Sequence, residues 1–236
     1  MAFVDLNIRQ LTGREPPPLT EVEPGRWVQP AVASAYQAMQ QAAATAGIAL
    51  RIASGWRDFS RQRAIFAAKM RGERVVFNLA QQPVNLTLLP FAEQLQAILL
   101  YSALPGASRH HWGTDLDVWD AAAVGPDYPL QLSPAEYSSG GPFARLSDWL
   151  AHNAAGFGFF RPYLRDQGGV ATEPWHLSYQ PLAGLYLPQL NVAALTEALS
   201  DQSAAELLPQ HQQICAMLPE LLQRYVLNID GEEHDN

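Results

Sequence analysis

The sequence predicts an α+β fold with a helical C-terminal appendage, and three observations support this. Apolar residues make up 48% of the 236-residue chain, enough for one sizeable packed core. The predicted elements follow the order helix, strand, helix, helix, strand, helix, strand, and the short strands do not fit a doubly wound parallel sheet. Beyond residue 188 the composition shifts to helix formers. We therefore expect an irregular N-terminal segment over residues 1–25, a main domain over 26–188, and a helical appendage with an acidic tail over 189–236.

The first half of the main domain carries clear start and stop signals. A helix is predicted to begin at Pro30, whose missing N–H is harmless in a first turn, and to end at Gly47. Apolar residues alternate over residues 48–55, which predicts a short strand. A second helix is predicted after Asp58, because an aspartate can cap the free N–H groups of a first turn.

The second half alternates connections with further helices and strands. Pro83 and Pro90 mark residues 77–90 as a connection. The sequence DLDVW predicts a strand directly after a cluster of histidines and aspartates. The other predicted elements are helices over residues 91–103 and 142–155, a strand that starts near residue 176, and two appendage helices over 191–202 and 208–226.

Composition excludes several classes of function. The formal net charge is −8 and the 15 lysines and arginines are scattered, so we expect no nucleic-acid partner. Cys215 is the only cysteine, which excludes an intrachain disulfide framework and a thiolate metal site. The chain has no long apolar run, so we expect no membrane span. The first 25 residues lack the features of a secretory signal, which favours the cytoplasm, whereas a protein whose signal had been removed would belong to the periplasm or cell wall.

Two short segments concentrate the residues that can bind a metal. SRHHWGTDLDVWD, residues 108–120, holds two adjacent histidines and three aspartates, and TEPWH, residues 172–176, adds a glutamate and a histidine. The other histidines lie within a predicted helix or in the appendage and tail, where we expect solvated side chains. Without thiolates, a catalytic Zn²⁺ must take its protein ligands from histidine and carboxylate and keep one position for water. We therefore expect a zinc site built from these two segments.

The first segment can contribute two ligands only if the chain bends sharply within it. His110 and Asp117 would lie about 23 Å apart along a straight strand, at about 3.3 Å per residue. Two ligands of one metal lie about 3 to 4 Å apart. Gly113 is free to adopt positive φ, so we expect a turn there that folds His110 back over Asp117. If His110, Asp117 and His176 bind the metal, Glu173 becomes the natural general base for the attacking water.

Three segments in this order resemble a known enzyme family. SRHHWGTDLD fits the pattern Ser-x-His-x-x-Gly-x-x-x-Asp, EPWH fits Glu-x-x-His, and SGWRDFSRQ is similar to Ser-Gly-Tyr-Arg followed by Gln. Together they resemble the zinc D-alanyl-D-alanine carboxypeptidases of the VanY type, over residues 54–179. The resemblance implies a small antiparallel sheet flanked by helices, the D-Ala-D-Ala carboxypeptidase or hedgehog-like fold, with the peptidase domain in residues 26–188.

The same resemblance implies the chemistry of the site. His110, Asp117 and His176 would bind zinc, and Glu173 would be the catalytic base. Arg57 would bind the terminal carboxylate of the substrate or stabilise charge on the scissile carbonyl. The partner would be a peptidoglycan stem peptide or muropeptide, which would lose its C-terminal D-alanine.

Further positions of the motifs bear on the substrate. The resemblance implies that Gln62 and Ser108 help to position the peptide. Trp56 stands where the family pattern has tyrosine, so it keeps an aromatic wall for the substrate but lacks the hydroxyl. Asp115 stands where the family often has alanine and shares a strand face with Asp117. It could accept an N–H from a ligand histidine or compete for the metal.

Other functions fit the same residues. An L,D-carboxypeptidase or a peptidoglycan endopeptidase would use the same site and differ in the loops that line the cleft. A non-catalytic module would keep the metal as structure or for recognition of the cell wall. The intact set of His110, Asp117, His176 and Glu173 favours an enzyme, and the sequence leaves the oligomeric state open.

Overall fold

A computed structural model of the protein describes residues 5–201 and 207–231. Most of the predicted acidic tail lies outside the described residues. The described helices are α1 (Ile8–Leu11), α2 (Pro30–Thr45), α3 (Phe59–Met70), α4 (Phe91–Leu99), α5 (Pro134–Tyr137), α6 (Ala144–Asn153), α7 (Gln180–Tyr186), α8 (Val192–Ser200) and α9 (His211–Tyr225). The described strands are β1 (Thr20–Glu23), β2 (Arg26–Val28), β3 (Leu50–Ser54), β4 (Val76–Phe77), β5 (Pro83–Val84), β6 (Asp115–Asp120), β7 (Phe159–Phe160) and β8 (His176–Tyr179).

The central sheet has four antiparallel strands in the order β3-β6-β8-β7. Side chains alternate between its two faces along each strand. Leu116, Val118 and Leu177 lie in the hydrophobic core, while Asp117 and its cross-strand neighbour His176 lie on the opposite face. The predicted α+β fold, a small antiparallel sheet flanked by helices, is confirmed.

The predicted capping and end signals of α2 and α3 are present in the structure. α2 begins at Pro30, and Gly47 follows it with a φ of +74°. α3 begins after Asp58, whose Oδ1 accepts a hydrogen bond of 2.6 Å from the backbone N–H of Arg61. These local interactions stabilise the first turns of the two helices.

The N-terminal segment is more ordered than we expected. Residues 1–25 were predicted to be irregular, but they contain α1 and β1. The side chain of Asn7 accepts hydrogen bonds from the N–H groups of Arg9 and Gln10, and the side-chain oxygen of Gln10 accepts one from the N–H of Asn7, which completes a capping box around a single turn. Gly25, at a φ of +70°, turns β1 back onto β2.

Two connections also hold short elements that the sequence did not indicate. Residues 77–90 were predicted to be a plain connection, but β4 and β5 pair there as a two-stranded ribbon. Strands of two residues are too short for an alternating pattern to reveal them. The loop after β6 contains the single-turn helix α5, in which Glu136 forms a capping box with Ser133.

The C-terminal helices pack into the same core as the rest of the chain. Leu195 of α8 and Leu218 and Leu222 of α9 belong to the hydrophobic cluster that includes Leu177 of the central sheet. The segment that we expected as an appendage therefore stabilises the fold through buried apolar area. Among the described residues, no helix is both long and apolar enough to cross a membrane.

Candidate metal centre

A row of polar side chains crosses the central sheet. Asp117 of β6 lies opposite His176 of β8 and, on its other side, opposite Ser54 of β3. Directly opposite residues in an antiparallel sheet have their side chains on the same face, about 5 Å apart. The register therefore places a carboxylate and an imidazole from distant parts of the chain next to each other.

His110 reaches this row from a turn of 3₁₀-helix, Arg109–Trp112, that ends at Gly113. Gly113 has a φ of +68°, so the predicted turn is present. Two backbone hydrogen bonds from other segments hold the turn in place. The N–H of Gln29 donates to the carbonyl of Gly113, and the N–H of Arg57 donates to the carbonyl of His110. The turn brings His110 Nε2 to 3.3 Å from Asp117 Oδ2.

Three donor groups converge at this point. One donor atom from each of His110, Asp117 and His176 lies within 4.8 Å of the other two, and all three residues are buried. His176 Nδ1 lies 3.3 Å from Asp117 Oδ1. Two imidazoles and a carboxylate are a donor set that suits zinc, and the 3.3 Å separations of Asp117 from each histidine are those of ligands around one ion.

Each histidine has a hydrogen-bond partner that directs its free nitrogen towards the centre. Nδ1 of His110 lies 3.0 Å from the carbonyl oxygen of Gly55, so it carries the proton and leaves the lone pair of Nε2 for a metal. Nε2 of His176 lies 2.9 Å from Asp115 Oδ1, which leaves Nδ1 for a metal. Such outer partners fix the tautomer and ring orientation of metal-binding histidines.

Both carboxylate oxygens of Asp115 accept hydrogen bonds from neighbouring side chains. Its Oδ1 accepts hydrogen bonds from His176 and from Arg109 Nε at 2.8 Å, and its Oδ2 accepts one from the hydroxyl of Thr114 at 2.6 Å. Arg109 also donates to the hydroxyl of Ser178 at 2.5 Å. Asp115 therefore orients His176, and its placement argues against competition with Asp117 for the metal.

The charges around His110, Asp117 and His176 favour the binding of a cation between them. Burial opposes ionisation of Asp117, but His110 and His176 hold the pKa of its carboxyl well below its usual range. Burial likewise opposes a charge on His176, but hydrogen bonds to Asp115, Asp117 and Glu173 raise the pKa of its imidazole well above 6.5. The residues present therefore fit a divalent metal ion.

Glu173 lies beside the three donors, in the turn that precedes β8. The N–H of His176 donates to the carbonyl of Glu173 at 3.0 Å, and Glu173 Oε2 lies 3.3 Å from His176 Nδ1. The side chain keeps 13% of its surface exposed and lines a cleft of about 530 Å³, which His110, Asp117 and His176 also line. A carboxylate in this position can exchange a proton with a molecule bound in the cleft.

Arg57 lines the same cleft, and two neighbours fix its guanidinium. Nη1 donates to Gln62 Oε1 at 2.7 Å and Nη2 donates to Ser54 Oγ at 2.8 Å. Gln62 is buried, and its amide N–H donates to the carbonyl of Ala103 at 2.6 Å. The structure thus places Gln62 behind Arg57, where it orients the arginine and has no lining surface in the cleft.

The remaining predicted site residues fall in different places. Ser108 is buried and lines the cleft. Trp56 faces a separate cavity of about 220 Å³, and its indole N–H donates to the carbonyl of His111. The structure therefore does not bring Trp56 to the metal donors, because its backbone N–H and its indole N–H are held by the carbonyls of Trp27 and His111. His111 is held by the carbonyl of Arg57 and the N–H of Gly106, and burial lowers the pKa of its imidazole to about 3, so it is a neutral structural residue.

Three cleft residues were missed by the sequence analysis. Arg109 lies within the first motif, but its hydrogen bond to Asp115 depends on how the 3₁₀ turn packs beside β6 and is not indicated by the spacing of the two residues. Tyr163 is buried with its ring in edge contact with His176, at 5.1 Å between centroids. Lys69 lines the cleft from α3. A helical wheel could have found it, because Lys69 lies four residues after Ile65, another cleft residue, on the same face of α3.

Comparison with known proteins agrees with the geometry. An uncharacterised protein of Haemophilus influenzae is 41% identical over 109 residues, which cover 45% of this chain and 73% of that protein. The solved structure of a D,D-pentapeptidase VanY mutant in complex with Zn(II) matches with a TM-score of 0.50 and 22% identity over 77% of this chain and 89% of that chain. The LD-carboxypeptidase LdcB matches with a TM-score of 0.52 and 22% identity over 79% of this chain and 80% of that one.

The family comparison covers most of the fold described above. The model of the VanY family, described as D-alanyl-D-alanine carboxypeptidase, matches residues 25–182. This range contains the central sheet, all three metal donors and Glu173. The chain therefore belongs to the VanY family of D-alanyl-D-alanine carboxypeptidases.

Proposed function

We propose that this protein is a zinc-dependent carboxypeptidase that removes the C-terminal D-alanine from peptidoglycan stem peptides. The observation that supports this most strongly is the convergence of His110, Asp117, His176 and Glu173 at one cleft of about 530 Å³. Membership of the VanY family supports the substrate class.

The three donors would hold the ion through His110 Nε2, the carboxylate of Asp117 and His176 Nδ1. The Zn(II) in the structure of the VanY mutant supports zinc as the metal. When bound at such a site, zinc lowers the pKa of a water molecule towards neutrality and polarises a carbonyl oxygen.

Glu173 and Arg57 would carry the steps that belong to the chain itself. Glu173 would accept the proton of the attacking water and return it to the amine of the departing D-alanine. Arg57, held rigidly by Ser54 and Gln62, would bind the terminal carboxylate of the peptide. Ser108 lies on the cleft wall, where its hydroxyl would position the peptide.

An L,D-carboxypeptidase is the second candidate. It would use the same residues to remove the D-alanine of a tetrapeptide, and the likeness in fold to LdcB supports keeping it. The two candidates differ in the residue that precedes the scissile bond, so substrates distinguish them.

The test is to incubate the zinc-loaded protein with a pentapeptide that ends in D-alanyl-D-alanine and with the matching tetrapeptide that ends in one D-alanine. Mass spectrometry measures the loss of one alanine residue from each. We expect loss from the pentapeptide. Loss from the tetrapeptide alone would favour the L,D-carboxypeptidase, and an intact pentapeptide would overturn the leading proposal.

A further inference from the structure

Lys69 is a cation in the cleft that the mechanism does not use. It lies in the last turn of α3, and its ammonium donates to the hydroxyl of Ser102 at 2.6 Å. An ammonium has three N–H groups, and among the described residues no carboxylate lies within ion-pair distance of this one. A partly buried cation with one neutral partner is unfavourable without a further anion.

The charges that surround Lys69 also favour the binding of an anion. Burial lowers the pKa of Lys69 to about 8, Glu173 attracts its charge from a distance, and Arg74 and Arg57 repel it. Arg74 lines the cleft from its exposed rim. The α3 side of the cleft therefore presents three cations, Arg57, Lys69 and Arg74, in a protein whose formal net charge is −8.

We propose that Lys69, with Arg74 at the rim, forms a subsite for a second carboxylate of the substrate, on a side chain upstream of the C-terminal residue. This inference rests on the proposed function, in which Arg57 takes the terminal carboxylate. The subsite would make the enzyme prefer peptides that carry an acidic residue over those that carry the matching amide.

The contacts between Arg57 and Lys69 indicate where that residue lies. Arg57 donates to Gln62, Gln62 donates to the carbonyl of Ala103, and Lys69 donates to the hydroxyl of the neighbouring Ser102. Both cations line the cleft and are close enough to repel each other. Two or three steps of extended peptide, at about 3.3 Å per residue, would span such a separation, so the acidic residue would be the third or fourth from the C-terminus.

The test uses acetylated peptides that end in D-alanyl-D-alanine, with glutamate or glutamine as the third or the fourth residue from the C-terminus. We expect the wild-type protein to favour glutamate over glutamine by about tenfold in kcat/KM at one of these positions. Lys69→Met should bring this ratio below two, and Lys69→Arg should restore part of it. Arg71→Met is the matched control, since Arg71 is exposed, pairs with Glu73 and does not line the cleft; its ratio should equal that of the wild type.

Two results would overturn the inference: a wild-type ratio below two at both positions, or an unchanged ratio in folded Lys69→Met protein. Lys69→Gln replaces Lys69→Met if circular dichroism shows that the latter does not fold. If no peptide is cleaved, the proposed function fails, and calorimetry on the same intact peptides then gives the ratio of Kd values. The carboxylate subsite predicts the same preference for glutamate in binding, so a failure of the subsite is distinguishable from a failure of the activity.

Discussion

At the scale of single residues, Asp115 connects the candidate metal centre to a buried arginine. Its carboxylate accepts hydrogen bonds from both His176 and Arg109 and is fully buried. Burial opposes its ionisation, but Arg109 and His176 hold the pKa of the Asp115 carboxyl well below its usual range. A fixed negative charge behind His176 increases the basicity of the nitrogen that faces the metal.

We predict that Asp115→Ala weakens zinc binding by about 10- to 100-fold, because His176 loses the partner that orients it. Competition with a chromophoric chelator measures the affinity. Asp120→Ala is the matched control, since Asp120 is a buried aspartate of the same strand that caps the N–H groups of Ala49 and Ala122 away from the site. Zinc affinity within twofold of the wild type in folded Asp115→Ala protein would contradict this role.

The buried charge of Lys69 should make the stability of the folded protein depend on pH. The pKa of Lys69 is lowered from 10.5 to about 8 by burial. Below pH 8 the side chain is charged in the folded and the unfolded protein, and the unfavourable burial of the charge is fully present. Between pH 8 and 10.5 the folded protein loses the proton first, so the wild type gains stability as the pH rises.

Lys69→Met should therefore be more stable than the wild type by about 1 kcal/mol at pH 7. Its advantage should shrink from pH 8 to pH 10, and urea denaturation across this range measures it. Arg71→Met should stay within about 0.5 kcal/mol of the wild type at every pH, because Arg71 is exposed. A constant difference between Lys69→Met and the wild type would mean that burial of the charge does not destabilise the fold.

The residues that the sequence could predict are those whose partners lie in a local motif. His110 and Asp117 share one segment, and Glu173 and His176 share another, so their spacing alone suggests a joint site. The roles of Asp115 and Lys69 depend on contacts between strand and loop or between helix and cleft. The local sequence does not indicate the strand register that places Asp115 opposite Ser178. It also does not indicate the contact between Asp115 and Arg109.

At the scale of elements, the 3₁₀ turn and the strand β6 position the metal donors relative to each other. A Cβ at Gly113 would lie 3.1 Å from Leu19 Cδ2 and 3.4 Å from the backbone nitrogen of Gln29, and the φ of +68° is unfavourable for other residues. The turn is therefore restricted by its own conformation and by the chain that packs over it. A shift of this turn would change the separation of His110 Nε2 from Asp117 Oδ2, which is 3.3 Å.

We predict that Gly113→Ala lowers the free energy of unfolding by about 1 to 2 kcal/mol and also weakens zinc binding. Gly72→Ala separates the two effects, because Gly72 has a φ of +72° but open space around its Cα. It should show the loss of stability from backbone strain with unchanged zinc affinity. Equal zinc affinity in the Gly113 and Gly72 variants would show that the turn does not set the geometry of the site.

Elements with strong end signals were predictable, and the shortest ones were not. Pro30 and Asp58 mark the starts of α2 and α3 through chemistry that acts within one turn. β4 and β5 have two residues each, so their pairing depends on the packing of the ribbon against α4. The capping box at Asn7 surrounds a helix of only four residues, which is too short to show a periodic pattern.

At the scale of the whole molecule, the C-terminal helices support the wall of the cleft. Leu221, Leu222 and Tyr225 of α9 pack around a small cavity that Ala103 and Val170 line from the other side. Ala103 and Val170 also line the catalytic cleft. We propose that residues 26–188 form the peptidase domain and that α8 and α9, in the described part of residues 189–236, brace this wall.

The fold places Glu173 beside the candidate zinc site, in the cleft that we propose binds the C-terminus of a peptide. The most direct test measures bound zinc and the rate of D-alanine release from a pentapeptide for the wild type and for Glu173→Gln. We expect each protein to bind about one zinc ion per chain and the variant to lose turnover by about 10³-fold or more, because the glutamine cannot accept the proton. Turnover at the wild-type rate in zinc-loaded Glu173→Gln protein would contradict the account.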